Sequence, residues 1–384
     1  MAAIASFGAP VAAGHRLEAL DYASIPGLAE DDLHAAFDTF RTSCAAIAAG
    51  VPELRRGKPP SAVLQDICRI ALKAEVSTNA DARRFFEAHF QPWRITSTDG
   101  DGRDQKGFLT GYYEPVVAAS KTSAPGFATP ILSRPPDLVT LEPGEGVGAL
   151  AGFAAARRRP DSNLEPYPDR AAIETGAMEG RPEPIAWVRD PIERFIIQVQ
   201  GSARLRWPDG SQARLTYSGR NGWPYTSIGR ALVEDGKVAA ERMSLAALKQ
   251  WVRDHGQEEG AEGLVLMRRN RSFVFFALGP VDDPGKGPIG AAGVPLAPLR
   301  SIAVDRALWS YGLPLWLSAD LPWRSPEKTA FRRLMIAQDT GSAIVGPARA
   351  DVFFGSGDDA GARAGDIRHP ADMIVLLPRA QSAP

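Results

Sequence analysis

Three aspartates in the last third of the chain stand where apolar runs begin or end. Asp305 ends SIAVD, Asp339 ends RLMIAQD, and Asp351 opens DVFFG after the glycine-rich TGSAIVG. A single aspartate in such a place ordinarily forms a turn, its side chain taking nearby backbone N–H groups. Three of them in one strand-rich block, each beside Val, Ile or Phe, point to a shared site. The chemistry they could support is protonation of a glycosidic oxygen. That requires a carboxylic acid kept protonated near neutral pH by apolar burial or by a neighbouring carboxylate. Ordinary glycosidases add a second carboxylate as nucleophile or as water-activating base. Asp339 and Asp351 could form such a pair, and the residues alone leave their roles open.

Other chemistries find little support. No HExxH or CxxC occurs, and the five histidines lack ligand spacing, so no metal and no cofactor is expected. There is no P-loop and no G-x-S-x-G elbow, and GSGDDAG at 355–361 does not fit a dinucleotide fingerprint. DGDGRDQKG at 99–107 has the acidic spacing of a calcium loop without its downstream glutamate, and reads as a solvated connector. The 384 residues carry 44 basic and 45 acidic side chains, which gives no electrostatic footprint for nucleic acid. No apolar run is long enough to span a bilayer.

The elements that must position the aspartates follow from patterning. Residues 1–27 read as a flexible tail, the opening MAAIASFGAPVAAGH lacking the basic region of a secretory signal. Residues 28–92 read as two or three helices, the last closed by Pro92. Cys44 lies on a helical face with Leu33, Phe37, Phe40 and Ile47, and Cys68 on another with Leu64, Ile67, Ala71 and Leu72. They are either two buried apolar residues or a disulfide between adjacent helices, which would imply an oxidising compartment. From Phe108, runs such as FLTGYYEPVV, PIAWV, RFIIQVQGSARL and ARLTYSG have strand lengths. Ser244 caps a helix over LAALKQWVRDH that Gly256 ends. A second strand-rich block follows: SFVFFAL, SIAVD, PLWLSA, FRRLMIAQD, SAIVG, ADVFFG and DMIVLL. The fold class is therefore mainly β with N-terminal helices, and strand counting does not decide between sandwich and barrel.

Five segments together resemble the MltA family of membrane-bound lytic murein transglycosylases. They are LTGYYEPVV (109–117), FIIQVQGSARL (195–205), YSGRNGWPYTSIGRALVEDG (217–236), MSLAALKQW (243–251) and AQDTGSAIVGPARADVFFGSGDDAGARAG (337–365). The likeness spans roughly residues 90 to 378. It implies a double-psi β-barrel, with a three-aspartate domain after Arg271, interrupted by a second, smaller β-barrel domain across a deep groove. The barrel would comprise residues 28–112 and 239–384, and the insert residues 113–238. The family's acid is the aspartate opening D-[IV]-[FY]-x-G, which is Asp351 here.

The reaction so implied is non-hydrolytic cleavage of the β-1,4 bond between N-acetylmuramic acid and N-acetylglucosamine in peptidoglycan. Asp351 would protonate the leaving oxygen and then, as carboxylate, take the proton from the muramic C6 hydroxyl as that oxygen attacks C1. The product carries a 1,6-anhydromuramic end. Asp339 would orient Asp351 or the sugar and help hold its proton by like-charge repulsion, while Asp305 would bond turn backbone. Gln200, Gly201 and Ser202 could offer hydrogen bonds to sugar amides and hydroxyls, or simply end a strand with a turn. Tyr112 and Tyr113 could stack on sugar rings or belong to the core, as could Trp223 and Tyr225. Glu114 could be a polar contact to the glycan or pair at the domain junction.

Two departures from the family stand out. Neither a basic signal nor a lipid-anchor cysteine is seen, so the periplasmic, outer-membrane-associated location comes from the resemblance alone. The C-terminal DIRHPADMIVLLPR lacks the aromatics usual there. Two rivals stay open: a non-catalytic peptidoglycan-binding module, and a hydrolytic muramidase using Asp339 and Asp351. The partners expected are glycan strands, with no nucleic acid, and the default oligomeric state is a monomer.

Overall fold

Capping residues and apolar spacing set the N-terminal helices. Helix α1 (Leu33–Ala49) starts at Asp32, whose side chain accepts the Ala35 N–H, and ends at Gly50 in the left-handed conformation. Helix α2 (Ala62–Ala71) is capped by Ser61, and α3 (Asn79–His89) by Thr78 in a reciprocal box with Asp81. The chain then passes straight into strand at Phe90, so α3 ends before Pro92, which lies inside that strand. Phe37, Phe40, Phe85, Phe86 and Phe90 are buried against one another. Cys44 and Cys68, both fully buried, are joined by a disulfide that ties α1 to α2.

The structure, a computed structural model, describes residues 15–98, 104–142, 145–176, 178, 182–281 and 283–379. Most of the expected tail, and residues 99–103 of the turn-rich connector, lie outside them. The remainder of that tail is built into the fold: β1 (His15–Ala19) pairs antiparallel with β2 (Phe90–Thr98), which also pairs β3 (Asp104–Gln105). Strand β4 (Gly107–Glu114) follows. Next come β5 (Val116–Ala118), β6 (Thr129–Leu132), β7 (Leu138–Thr140), β8 (Ala155–Arg158), β9 (Leu164–Pro166) and α4 (Arg170–Glu174). They are followed by β10 (Pro184–Val188), α5 (Pro191–Gln200), β11 (Ser202–Arg206), β12 (Gln212–Arg220) and α6 (Ile228–Glu234). Then α7 (Leu245–Asp254), α8 (Glu262–Arg268) and β13 (Val274–Gly279) lead to β14 (Ser301–Val304) and β15 (Pro314–Leu321). The last elements are β16 (Thr329–Asp339), β17 (Arg349–Ser356), α9 (Asp358–Gly365) and β18 (Arg368–Pro378).

The chain forms two compact units. The first comprises residues up to Tyr112, Ile289–Gly355 and Asp366 onward. Its strands close a six-stranded barrel in the order β4, β17, β14, β16, β15, β18, with β18 returning to β4. The β14–β16 pair is parallel, and β14–β17, β15–β16 and β15–β18 are antiparallel. Closure leaves these six strands without free edges. Buried runs such as Leu334–Ala337, Val352–Phe354 and Met373–Leu376 reflect strands covered on both faces. Helix α1 is fixed to the barrel by Gln338, whose Nε2 donates to Thr39 O and Ser43 Oγ. A buried bidentate pair between Asp31 and Arg300 adds a second tie, with Asp31 also accepting the Leu334 N–H.

The second unit comprises Tyr113–Pro288 and Ser356–Gly365. Its described strands pair as β13-β12-β11-β5, β10-β6 and β7-β8-β9. One core gathers Ile131, Val188, Ile197, Leu205, Leu215 and Phe276. Another joins α5 to α8 through Phe195, Leu232, Val252 and Leu264. This helical core is why the unit runs on past Val238 to Pro288. Ser244 caps α7 as its sequence suggests, accepting the Ala247 N–H.

Two segments differ from their sequence reading. FIIQVQ is the end of α5, not strand: Asp190 caps it, Pro191 occupies its first turn, and Gly201 ends it at φ 79°. Isolated apolar runs of that length do not distinguish strand from buried helix. SAIVG, preceded by Gly341 and followed by Pro347, is a loop between β16 and β17.

Candidate active site

Strand periodicity delivers the site residues in pairs. On β17, Arg349 and Asp351 are two apart and share a face; on β4, Thr110 and Tyr112 do the same. Asp339 is the last residue of β16. All five belong to the first unit.

Asp351 Oδ1 accepts a 2.6 Å hydrogen bond from Thr110 Oγ1. Among the described residues its Oδ2 takes none. Arg349 Nη2 donates to Thr110 Oγ1 at 2.7 Å, and Nη1 donates to the Ala350 carbonyl at 2.6 Å. Asp339 is bonded more fully: Oδ1 accepts the N–H groups of Ala291 and Thr340, each at 2.9 Å, and Oδ2 accepts Tyr112 Oη at 2.8 Å. The Tyr112 ring packs on Phe353, centroids 5.3 Å apart, which holds the phenol in place.

Protein surrounds both carboxyls, yet each aspartate keeps an accessible edge. Burial pushes the Asp351 carboxyl up from the usual carboxylate range, and the Asp339 charge adds to the rise. The Arg349 charge and the Thr110 hydrogen bond oppose it. Burial also raises Asp339, against its two backbone donors, Tyr112 and the charge of Arg55. Burial and the nearby aspartates push the Tyr112 phenol well above its ordinary value, so it remains a donor. The arrangement thus holds two carboxyls of unequal character. Asp339 has three of its lone-pair positions occupied by donors, which favours the charged form, while Asp351 has one oxygen held and one open.

The other sequence-derived residues fall elsewhere. Asp305 ties a turn, its oxygens accepting the N–H groups of Ala307 and Gly346. Tyr113, Glu114, Gln200, Gly201 and Ser202 belong to the second unit. There Gln200 Oε1 accepts the Tyr113 N–H, Gly201 is the left-handed cap of α5, and Ser202 opens β11, buried. Glu114 is fully buried, taking Arg214 Nε at 2.7 Å, Arg204 Nη2 at 2.9 Å and Ser356 Oγ at 2.6 Å. Its oxygens are bonded to partners inside the unit. Trp223 is half-buried, with its Nε1 donating to Tyr167 O and Arg271 stacked on its face. Thr110 and Arg349 are the site residues that sequence reasoning passed over. The signal was present in the period-2 pairs T-x-Y and R-x-D.

A closed β-barrel carrying enclosed carboxyls beside fixed hydroxyl donors defines a class of protein that has the groups for acid–base transfer. Comparison with known proteins gives that class a family. The MltA specific insert domain matches residues 108–277 and the 3D domain residues 300–377. Membrane-bound lytic murein transglycosylase A of Escherichia coli K12 is 31% identical over 312 residues, covering 80% of this chain and 74% of that protein. The crystal structure of a membrane-bound lytic murein transglycosylase from Agrobacterium tumefaciens superposes with a TM-score of 0.83 at 35% identity, over 94% of this chain and 98% of that one. E. coli MltA with bound chitohexaose gives 0.65 at 27% identity, over 96% and 94%. The chain belongs to the membrane-bound lytic murein transglycosylase A family.

Proposed function

We propose that this protein is a lytic transglycosylase that cleaves the β-1,4 bond between N-acetylmuramic acid and N-acetylglucosamine in peptidoglycan, with Asp351 as the acid and then the base. The observation that carries this reading is the enclosed Asp351 carboxyl, raised toward its protonated form, with one oxygen held by Thr110 and the other open. Protonated Asp351 gives its hydrogen to the bridging oxygen as the C1–O bond breaks and positive charge grows at C1. The resulting carboxylate takes the proton of the muramic C6 hydroxyl as O6 bonds to C1. The enzyme ends as it began, and the glycan ends in a 1,6-anhydro ring.

In this reading Asp339 stays ionised, raises Asp351 by like charge and offsets the developing positive charge on the sugar. A hydrolytic muramidase would need a second carboxylate to activate water. Asp339, with three lone-pair positions taken, is poorly placed for that. Binding of a chito-oligosaccharide by the E. coli relative supports a glycan as ligand.

We take the six-stranded barrel to be of the double-psi type and the second unit to be the family's smaller β domain. The parallel β14–β16 pair between antiparallel neighbours supports the first assignment. The Cys44–Cys68 disulfide supports an oxidising compartment, hence the periplasm, and the relatives' names support association with a membrane. Among the described residues no helix is long and apolar enough to cross one.

Mass spectrometry of muropeptides released from purified sacculi tests the reading, with Asp351→Asn beside the native protein. Anhydromuramic products from the native protein alone are expected. Reducing ends would make it a muramidase, and binding without release a glycan-binding module.

A further inference from the structure

The polarity of the hydrogen-bond chain running into Asp351 carries more information than the bond lengths. A guanidinium has only N–H donors. The contact of Arg349 Nη2 with Thr110 Oγ1 therefore makes that oxygen an acceptor. The threonine hydroxyl has one hydrogen left to give, and Asp351 Oδ1, 2.6 Å away, is its acceptor. With the Thr110 hydrogen given to Oδ1, that oxygen serves as an acceptor, and the acidic hydrogen is favoured on Oδ2, the oxygen that takes no hydrogen bond among the described residues.

We infer that Thr110, locked by Arg349, is a positioning residue that assigns the Asp351 proton to Oδ2 and strengthens its departure. The inference rests on the transglycosylase reading and deepens it, giving Thr110 and Arg349 roles in the proton transfer. Thr110 donates to a neutral carboxyl before proton transfer and to a carboxylate after it. A donor bonds more tightly to the charged acceptor, so the interaction grows toward the transition state for protonating the leaving oxygen. The β-branch of Thr110 leaves few χ1 choices, and Arg349 fixes the one that points Oγ1 at Asp351. Arg349 is itself held by the Ala350 carbonyl and lies over the Phe108 ring. Five groups bear on the titration of Asp351. They are Arg349 on its own strand, Thr110 and Tyr112 on β4, Asp339 across β14, and Arg55, which acts on Asp339.

Thr110→Val keeps the shape and removes the hydroxyl. Its kcat for muropeptide release should fall roughly 10- to 100-fold, the factor that a hydrogen bond to a charged group represents. The basic limb of its kcat/KM profile should move to higher pH, because the charged form of Asp351 has lost a donor. Thr110→Ser should restore both, and Arg349→Met should move the limb in the same direction as Thr110→Val. Selective 13C labelling of aspartate follows the Asp351 carboxyl through the same titration with or without turnover. That keeps failure of this inference separate from failure of the transglycosylase reading. An Asp351 titration unchanged in Thr110→Val would overturn the inference, and so would a Thr110→Ser protein as impaired as Thr110→Val.

Discussion

Asp339 and Asp351 lie opposite the same residue, Ala303, one on each side of β14. A register shift between Ile302 and Ala303 brings Asp339 level with its counterpart. Two strand spacings separate the backbones, on the order of 10 Å. The aspartates are close enough for the charge of Asp339 to raise Asp351. The small side chain between them is buried with Tyr112, Leu296, Ile344 and Phe353.

Neutralising Asp339 should therefore act on Asp351 through charge. In Asp339→Asn the amide oxygen can still accept the Ala291 and Thr340 N–H groups, so the loop is retained. Loss of the like charge lets Asp351 ionise more easily, and the basic limb of the activity profile should move to lower pH. This is opposite in sign to Thr110→Val. A pH profile of muropeptide release on both variants checks it, and shifts in the same direction would contradict the electrostatic account.

Asp351 should also cost the protein stability at neutral pH. Burial raises its folded-state pKa above that of the unfolded chain, so the folded protein retains a proton that the unfolded chain has lost. The associated stability is fully present below the unfolded value and disappears as pH rises through the folded one. At neutral pH the enclosed carboxyl, whether it holds its proton or gives it up, carries a free-energy cost that Asp351→Asn does not. The variant should be inactive yet melt higher, a gain of about 1 kcal/mol appearing as roughly 2–4 °C. The difference should shrink as pH is lowered, when native Asp351 is protonated too. Differential scanning calorimetry across pH reads both.

How much of this was legible beforehand depended on whether local pattern or distant pairing set each feature. The helical face of Cys44 with Phe37 and Phe40 is a local pattern, and so is the Ser244 cap. The three aspartates could be found because charge beside Val, Ile and Phe is conspicuous. Thr110 could not be singled out the same way. Threonine is ordinary in a strand, and its meaning comes from a partner 241 residues away. Barrel closure through β18 and β4 is likewise a long-range pairing that no local period encodes. The α5 segment was ambiguous for a different reason, since Phe195, Ile196 and Ile197 are all buried and show no polar face.

The disulfide gives a prediction tied to compartment. Cys44 and Cys68 are 24 residues apart, and closing a loop of that size restricts the unfolded chain by about 3 kcal/mol. The double variant Cys44→Ala, Cys68→Ala should lose stability of that order, and a reducing agent should lower the melting temperature of the native protein alone. Because neither cysteine is among the groups hydrogen-bonded to the aspartates, specific activity at low temperature should be unchanged. Thermal melts with and without dithiothreitol, paired with release assays at 20 °C or below, provide the measurement.

Glu114 separates a binding role from an internal one. Its carboxylate balances Arg204 and Arg214, all three nearly or wholly buried, and Ser356 Oγ completes its shell. Glu114→Gln leaves two enclosed guanidinium groups facing a neutral amide. Breaking a buried pair in this way costs about 3–5 kcal/mol, most of it the penalty of the uncompensated charge. The melting transition of the second unit should drop, while KM for glycan at low temperature should change little. A sugar contact would give the reverse, a raised KM with an unaltered melt. Replacing both arginines by methionine in the Glu114→Gln background should recover much of the lost stability. The same charges are then absent together, and buried apolar side chains of similar length fill the space.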